Sequence, residues 1–331
     1  TRYAFSAEAL RSGANQSTLF SGYVLRGGLN LFQNFTYFLE HPIDGDQVEQ
    51  EGRRWVYGGR VTHRRLGHFG RFPVESSAGV SMRRDAVGTI GLYNTVRRQR
   101  INTIRNDRVD QTTVGFFGQT EVEWTRYLRT QLGVRADLYR YGVTAQNRLN
   151  SGSGITGIAN PKVTTVLGPW QGTEFYVNYG GGYHSNDPRA ATTRVDPVSG
   201  DTVVGEDPLV PARGYEFGVR TVAVPRLQST LAWWNLSFDS ELIFVGDAGI
   251  AEVSRPSERN GIEWTNYLRF TDWFVGELDL SLAKARFSDA DSIGNYIPGA
   301  LDRVIAAALT VPKNQRIFGS LRLRHFGPRP L

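Results

Sequence analysis

Hydrophobic and polar residues alternate with a period of two along most of this chain. In Leu128–Leu138 the even positions carry Leu, Val and Ala, with one Thr, whereas the odd positions carry Arg, Gln, Gly and Asp. The same alternation marks five further segments, at 112–124, 173–183, 230–244, 273–281 and 317–323. Successive side chains of a strand point to opposite faces of its sheet, so this pattern predicts antiparallel strands with one apolar and one polar face.

Strand length distinguishes two settings for such a sheet. A soluble sheet buries its apolar face in a core, and a membrane barrel turns that face toward lipid and its polar face toward a wet lumen. Soluble strands average about 5–6 residues, whereas about 9–11 are needed to cross a bilayer at a tilt. Most of the alternating segments are longer than the soluble average, which favours a transmembrane β-barrel of about 14 strands.

The connections between the predicted strands alternate between short and long. Short ones are predicted near 12–16, 67–71, 125–127, 168–172, 224–226, 270–272 and 312–314. Longer polar ones are predicted at about 40–50, 86–108, 147–157, 185–212, 247–258 and 288–302. Short periplasmic turns and long extracellular loops are typical of outer-membrane barrels.

Aromatic residues lie beside the short turns. They are Trp124, Tyr127, Trp170, Phe270 and Trp273. Trp and Tyr concentrate at membrane–water interfaces, so we interpret this set as an interfacial belt. The alternative is that Trp is simply common near β-turns.

Composition narrows the possible functions. The chain has 331 residues and no Cys, which excludes thiol chemistry. Its formal net charge of +6 is weak evidence for nucleic-acid binding. The longest strongly apolar run, Val304–Val311, is far shorter than the ~20 residues of a membrane-spanning helix. The sequence contains no nucleophile-elbow, phosphate-loop or zinc-protease motif, and it predicts neither an enzyme nor a cofactor nor a metal site.

An ordered series of segments resembles one family. Residues 109–124 (VDQTTVGFFGQTEVEW) and 127–135 (YLRTQLGVR) are similar to a strand, turn and strand of the barrel of TonB-dependent outer-membrane receptors. Three later segments are similar to further barrel hairpins of those receptors: 176–187 (YVNYGGGYHSND), 214–220 (GYEFGVR) and 259–264 (RNGIEW). The resemblance covers most of the chain from about residue 108 onward and, more loosely, the part before it.

The resemblance implies a location, a function and partners. Receptors of this family lie in the bacterial outer membrane and take up scarce nutrients such as ferric siderophores, energised by the TonB–ExbB–ExbD complex. Their barrels have 22 strands, and a plug domain and a TonB-contacting box precede them. Neither is found here, so residues 1–331 are expected to be a partial barrel without the plug and without the final strands.

Two groups of residues are candidate ligand contacts at the extracellular end. Arg97, Arg98, Arg100 and Arg105 belong to the most charged segment, and Arg side chains bind carboxylate and phosphate groups bidentately. This segment is expected to capture an anionic chelate, to contact outer-leaflet lipid phosphates, or to be a solvated loop. Tyr183, His184 and Asp187 are expected either to touch a ligand at the barrel mouth or to tie a loop to the rim.

Two other functional classes remain open from the sequence. A passive porin-type barrel would have the same alternation and no plug. A soluble, aromatic-rich β protein that binds carbohydrate would bury its Leu, Val and Phe faces in a core.

Overall fold

The chain forms one long antiparallel sheet with a small separate hairpin. The computed structural model describes residues 1–39, 41–195, 200–240, 242–245, 250–253, 255–289, 294–313 and 316–330. Its strands are β1 (Arg2–Ser12), β2 (Gln16–Gln33), β3 (Val48–Phe69), β4 (Phe72–Val96), β5 (Gln99–Thr125), β6 (Leu128–Thr144), β7 (Gly152–Trp170), β8 (Thr173–Ser185), β9 (Leu209–Thr221), β10 (Leu227–Phe238), β11 (Leu242–Val245), β12 (Ile250–Val253), β13 (Ser257–Thr271), β14 (Phe274–Phe287), β15 (Arg303–Val311) and β16 (Gly319–Phe326).

Each strand of the large sheet pairs with its neighbours along the chain. Fourteen strands follow in order from β1 at one edge to β16 at the other, and only β11 and β12 form a sheet of their own. The prediction of about 14 strands in an all-β antiparallel fold is therefore confirmed. The helical segments are one 3₁₀ turn, Arg148–Asn150, and a five-residue helix α1, Pro188–Thr192. Within the described ranges, no helix has the length and apolar character that a membrane-spanning helix needs.

Several of the predicted boundaries are wrong, and the connection predicted at 147–157 already ends at Gly152, where β7 begins. The segment 86–108, predicted as a long connection, is instead the paired ends of β4 and β5 around a turn at Arg97 and Arg98. Three register shifts interrupt this pairing, which removes the regular period-two pattern from the sequence. The segment 230–244, predicted as one strand, is β10 up to Phe238 and then β11, which pairs with β12 outside the large sheet.

The apolar positions of successive strands form one continuous face. Phe116 lies opposite Val80 on β4 and Ala136 on β6, and Leu132 lies opposite Val163 on β7. Directly opposed residues share a face of the sheet, so these side chains belong to one surface, here called the apolar face. It is exposed, with Phe116 53% and Leu132 58% accessible. An apolar surface of this extent needs a non-aqueous environment.

The opposite, polar face carries ion pairs between strands. Arg129 on β6 and Arg220 on β9 both bond to the carboxylate of Glu174 on β8. Arg135 holds Asp137 with two hydrogen bonds of 2.6 and 2.7 Å, and also donates to the Ser81 hydroxyl on β4. A membrane barrel wall has this arrangement: the polar groups of one face are paired, and the apolar groups of the other face are exposed.

Candidate functional site

The long connections lie at one end of the sheet, and the candidate ligand contacts are found there. Arg97 and Arg98 form the two-residue turn between β4 and β5, with backbone φ angles of 51° and 66°. Both residues are therefore in the left-handed region, which a type I′ hairpin turn requires and which Asn and Gly adopt far more readily than Arg. The turn therefore holds two arginines in a backbone conformation that costs them more than it would cost Asn or Gly.

Gln47 supports this turn from the neighbouring β2–β3 connection. Its side-chain oxygen accepts hydrogen bonds from the Arg98 backbone N–H at 2.9 Å and from the Thr95 hydroxyl at 3.0 Å. The Arg98 guanidinium lies over the ring of Phe32, 5.4 Å from its centre. The tip of the hairpin is thus supported, although its two arginine side chains lie at the surface.

Arg100 lies within the same hairpin but is fully engaged with β3. Its guanidinium donates two hydrogen bonds to Glu49, at 2.6 and 2.8 Å, and one to Glu51 at 2.8 Å. It also stacks on Tyr93 at 3.7 Å from the ring centre. The hydrogen bonds and charge of Arg100 hold the pKa of Glu49 below its ordinary value, although burial of the carboxyl acts in the opposite direction. Arg100 therefore joins β3 to the hairpin.

The connection between β8 and β9 folds back over the ends of β5 and β6. Asp187 caps α1, accepting from the Arg189 backbone N–H at 2.9 Å and from its guanidinium at 3.0 and 2.7 Å. The helix buries Ala191 and Thr192, and a Cβ at Gly152 on β7 would contact Thr192. The short helix thus closes over the polar face at this end of the sheet.

Asn150 holds the far side of this connection. Its side-chain oxygen accepts from the backbone N–H groups of Arg194 and Val195 at 2.8 and 2.9 Å. Its amide nitrogen donates to the carbonyl of Val195 at 2.8 Å. Because Asn150 itself is buried, these three bonds are shielded from water.

A cavity of about 430 Å³ remains between this connection and the strand ends. Its polar lining is supplied by Arg105, Asp107, Gln146, Asn147, Asn150 and Arg189. The Asp107 carboxylate lies 3.7 Å from Arg105 and 3.8 Å from Arg189, which is too long for direct hydrogen bonds. Both guanidinium groups therefore border the cavity near Asp107, and that of Arg189 is also bonded to Asp187.

The charge of Asp187 is set by its arginine neighbours. Burial raises the pKa of its carboxyl, but the hydrogen bonds and charge of Arg189, together with the charge of Arg105, outweigh burial and leave the pKa below the ordinary value. A carboxyl with a lowered pKa in the folded state stabilises that state above its ordinary pKa of about 3.9, and the contribution is lost as pH falls through the lowered value. The Asp187–Arg189 contact is therefore intact at neutral pH.

Tyr183 and His184 lie at the end of β8, just before this connection. The His184 ring lies 6.0 Å from the ring of Phe238 on β10, and its Nε2 atom is buried without a hydrogen-bond partner among the described residues. Tyr183 approaches Asp137 on the polar face. Within the described ranges, no three metal-binding side chains lie together here or elsewhere.

The structure thus separates the predicted ligand contacts into four places: the hairpin turn, the Arg100 contact with β3, the cavity, and the end of β8. Arg105 and Asp187 come together at the cavity, through Arg189. Arg97 and Arg98 lie at the tip of the hairpin, at least seven residues from Arg105. Seven residues of strand correspond to about 23 Å at 3.3 Å per residue. Sequence reasoning missed Asp107, Asn150 and Arg189, because only the folded β8–β9 connection brings them together. The Asp187–Pro188 pair was the available signal, since it is typical of a helix start.

The predicted belt residues lie around the short turns at the other end of the sheet. Tyr127 stacks on Trp170 at 5.7 Å, and Trp273 packs on Phe274 at 5.8 Å. Trp124 donates a hydrogen bond from its indole N–H to the Thr130 hydroxyl at 2.7 Å. Trp170, Phe270 and Trp273 are each about half exposed, which suits rings at an interface between lipid and water.

The wall of alternating strands, with short turns at one end and a loop-lined cavity at the other, matches a known family along nearly the whole chain. Residues 2–327 match the family described as "TonB dependent receptor-like, beta-barrel". This chain belongs to the TonB-dependent receptor family. No curated protein matches its sequence.

Solved structures of TonB-dependent receptors have the same fold. The ferric citrate transporter FecA, in its unliganded form, superimposes with a TM-score of 0.73 at 12% identity, over 94% of this chain and 47% of that chain. The ferric-catecholate import receptor Fiu from E. coli K12 gives 0.73 at 12% identity, over 98% of this chain and 53% of that chain. BauA, the ferric preacinetobactin receptor from Acinetobacter baumannii, gives 0.71 at 10% identity, over 98% and 50%.

Membership in the TonB-dependent receptor family has two direct consequences. Members are transporters rather than enzymes, and they lie in the bacterial outer membrane. The chain spans about half the length of the solved receptors that it resembles. The apolar face is accordingly the lipid-facing surface of a barrel wall, and the polar face lines its interior.

Replacing Asn150 with alanine should open the β8–β9 connection. The substitution removes three buried hydrogen bonds, and at about 1 kcal/mol each the open population should rise by about two orders of magnitude. Limited proteolysis should therefore cut within residues 193–207 far faster than in the unchanged protein. An Asn147→Ala variant, which loses one exposed bond to the Leu149 N–H, is the matched control and should be cut at nearly the original rate. Equal cleavage of both variants would show that Asn150 does not hold the connection.

Proposed function

We propose that this chain is the barrel wall of an outer-membrane receptor that takes up a scarce nutrient by TonB-energised transport. The proposed nutrient is a ferric siderophore or a similar metal chelate. The proposed partners are the TonB–ExbB–ExbD complex, the surrounding outer-membrane lipids and the nutrient ligand.

The observation that carries the proposal is the arginine-lined cavity beneath the folded β8–β9 connection. The guanidinium groups of Arg105 and Arg189 line it, with Asp107 between them at 3.7 and 3.8 Å. Guanidinium groups bind carboxylates with two parallel hydrogen bonds, so an anionic chelate entering the cavity would compete with Asp107 for both arginines.

The hairpin tip supports a role in the first encounter. Arg97 and Arg98 are exposed and hold positive φ angles at a cost that an Asn-Gly turn would avoid. Exposed positive charge far from the wall speeds the diffusional approach of an anion. The tip would then attract the ligand, and the cavity would hold it.

The similar receptors of known structure are consistent with this class of ligand. By their descriptions, FecA transports ferric citrate, Fiu imports ferric catecholates and BauA is a receptor for ferric preacinetobactin. OprC, at a TM-score of 0.68 and 13% identity, is a copper transporter. Ferric citrate, a ferric catecholate and Cu²⁺ are therefore the first probes.

The test measures binding of these three probes to the protein expressed from its native gene. Two variants remove positive charge with little damage to the fold: Arg105→Gln in the cavity, and the double substitution Arg97→Asn and Arg98→Gly, which installs the favoured sequence for a type I′ turn. Loss of a charge-assisted hydrogen bond at Arg105 should weaken binding of the cognate chelate by about 10- to 100-fold. The tip variant should slow association while leaving dissociation nearly unchanged.

An Arg71→Gln variant, at the short turn between β3 and β4, is the matched control and should bind normally. Unchanged affinity and association rate in both test variants would contradict capture at this end of the sheet. Uptake of the bound chelate should also stop in cells that lack TonB. Uptake that continues without TonB would favour the passive porin interpretation.

A further inference from the structure

The wall is open between β7 and β8 in its long-loop half. Strand β7 begins at Gly152, but its last pair with β8 toward that end is Lys162 with Gly180. Beyond this pair, β8 continues to Ser185 and is paired with β9. Within the described part of the chain, residues 152–161 of β7 therefore have no strand on the β8 side. This stretch is here called the open edge.

Pro161 explains where the pairing with β8 stops. Proline has no backbone N–H, so it cannot extend a hydrogen-bonded ladder on the side that its nitrogen faces. The pairing of β7 with β6 continues past Pro161 to Gly152 without a register shift. The Pro161 nitrogen therefore faces the open side, and so do the backbone N–H and C=O groups of every second residue, such as Ala159 and Ile155.

Part of the open edge lies beside the apolar residues of β6. Gly157 and Pro161 lie opposite Leu138 and Val134, which are 56% and 55% exposed on the apolar face. Unpaired backbone groups do not occur against lipid, because nothing there can complete their hydrogen bonds. The open edge therefore needs a partner that brings N–H and C=O groups of its own.

The opening is bounded at both ends. Toward the short turns, a Cβ at Gly181 would lie 3.3 Å from the ring of Pro161. Toward the long loops, a Cβ at Gly152 would lie 3.2 Å from the Thr192 side chain of α1. Residues 153–159 lie between these contacts and offer about 23 Å of edge at ~3.3 Å per residue. This length suits an extended segment of about seven residues.

The surroundings of the open edge are positively charged. Residues 138–173, from the second half of β6 to the start of β8, contain Arg140, Arg148 and Lys162 but no Asp or Glu. All three cations are exposed, with Lys162 on the polar face and Arg140 on the apolar face. Within the described ranges, none of them has an ion-pair partner. A segment with carboxylates would fit this edge, whereas the same edge of a second copy would bring like charges together.

We propose that the open edge binds an extended acidic segment of a partner protein, which adds to the sheet as a strand. Main-chain hydrogen bonds to β7 would hold this segment, and its alternating side chains would give specificity. Apolar side chains would lie beside Ile155 and Leu138 on the lipid side, and acidic side chains would lie near Lys162 on the polar side. The proposal rests on the barrel wall alone and not on nutrient uptake.

The test measures peptide binding by fluorescence anisotropy, with the protein expressed from its native gene and held in detergent. The probe is a labelled peptide of about nine residues in which Val and Glu alternate. One comparison peptide has Lys in place of Glu, and the other has N-methyl groups on alternate backbone amides. Both should bind at least about tenfold more weakly, because the first loses the charge match and the second loses main-chain hydrogen bonds. Equal binding of all three peptides would overturn the proposal.

A proline variant removes donors from the edge itself. The double substitution Ile155→Pro and Ala159→Pro deletes N–H groups on the open side and keeps the pairing with β6. It should weaken binding of the Val/Glu peptide about thirtyfold. Ile155→Val with Ala159→Ser is the matched control, since it changes the same side chains and keeps both N–H groups, and it should bind like the unchanged protein. The heat-modifiable band of each variant reports whether it is folded.

Lys162→Gln tests the charge match without changing the backbone. It should weaken binding of the Val/Glu peptide about threefold at low salt. Lys313→Gln, at the connection between β15 and β16, is its control and should bind normally. Unchanged affinity in the proline variant or in Lys162→Gln would contradict strand addition at an acid-selective edge. Dimerisation of the unchanged protein that the proline variant abolishes would identify a second copy as the occupant and would likewise contradict it.

Discussion

Replacing Gly79 with alanine should destabilise the protein strongly and lower the yield of its folded form. Gly79 lies on the polar face of β4, opposite Phe117 on β5 and Thr62 on β3. A Cβ at this position would overlap the backbone carbonyl oxygen of Val61 and crowd the Phe117 ring at 2.7 Å. A backbone oxygen within a paired strand cannot move aside without breaking the pairing, so the cost should reach the upper end of the ~1–3 kcal/mol typical of overpacking.

The measurement is the fraction of protein that migrates as a folded, heat-modifiable band, together with the temperature at which that band is lost. Gly118→Ala is the matched control, since Gly118 lies one residue from Phe117 on β5 and a Cβ there would have no neighbour within 4 Å. The control should fold like the unchanged protein. If both variants fold equally well, the close approach of β3 and β4 at Gly79 is not a constraint on folding.

Replacing Asp137 with alanine should cause a loss of stability of similar size. The Asp137 side chain is fully buried on the polar face, where Arg135 bonds to both of its oxygens. Its removal leaves the Arg135 guanidinium without its carboxylate. Breaking a buried pair costs about 3–5 kcal/mol, and since Arg135 is 39% exposed and can partly rehydrate, we expect about 2–4 kcal/mol.

Asp110→Ala is the matched control for this prediction. Asp110 also pairs with an arginine, Arg84, but both side chains are 51% exposed on the opposite face. Exposed pairs contribute about 0–1 kcal/mol, so this variant should unfold at nearly the original temperature. Thermal unfolding followed by loss of the heat-modifiable band separates the two variants. Similar shifts for both would show that the burial of Asp137 does not set the cost of losing its carboxylate.

The sequence by itself determined which residues occupy each face of the wall. Side chains alternate along any strand, so the period of two in Leu128–Leu138 and in 112–124 assigns Leu132 and Phe116 to one face wherever the strand lies. Two of the short turns also follow from the sequence, because Gly70 and Gly172 allow the positive φ angles of tight hairpins. These are local properties, and they sufficed to predict an antiparallel barrel wall of about 14 strands.

The sequence did not determine where β4 and β5 end or which arginines are available to a ligand. Beyond the membrane-facing rows the strands need no apolar side chains, and register shifts break the alternation, so 86–108 lacked the pattern of the hairpin it forms. Arg97, Arg98, Arg100 and Arg105 have the same chemistry in the sequence. Only the pairing of β3 with β4 brings Glu49 to Arg100, across about 50 residues, and so separates it from the exposed arginines of the tip.

The tertiary structure alone decided the cavity and the spatial neighbours of the arginines. Arg105 and Arg189 are brought together because the β8–β9 connection folds back and is held by Asn150. Arg108 and Arg140 become neighbours of Arg84 through the registers of three strands. Contacts between residues distant in sequence depend on strand order and register, and a local alternation of residue types contains no information about which strand lies next to which.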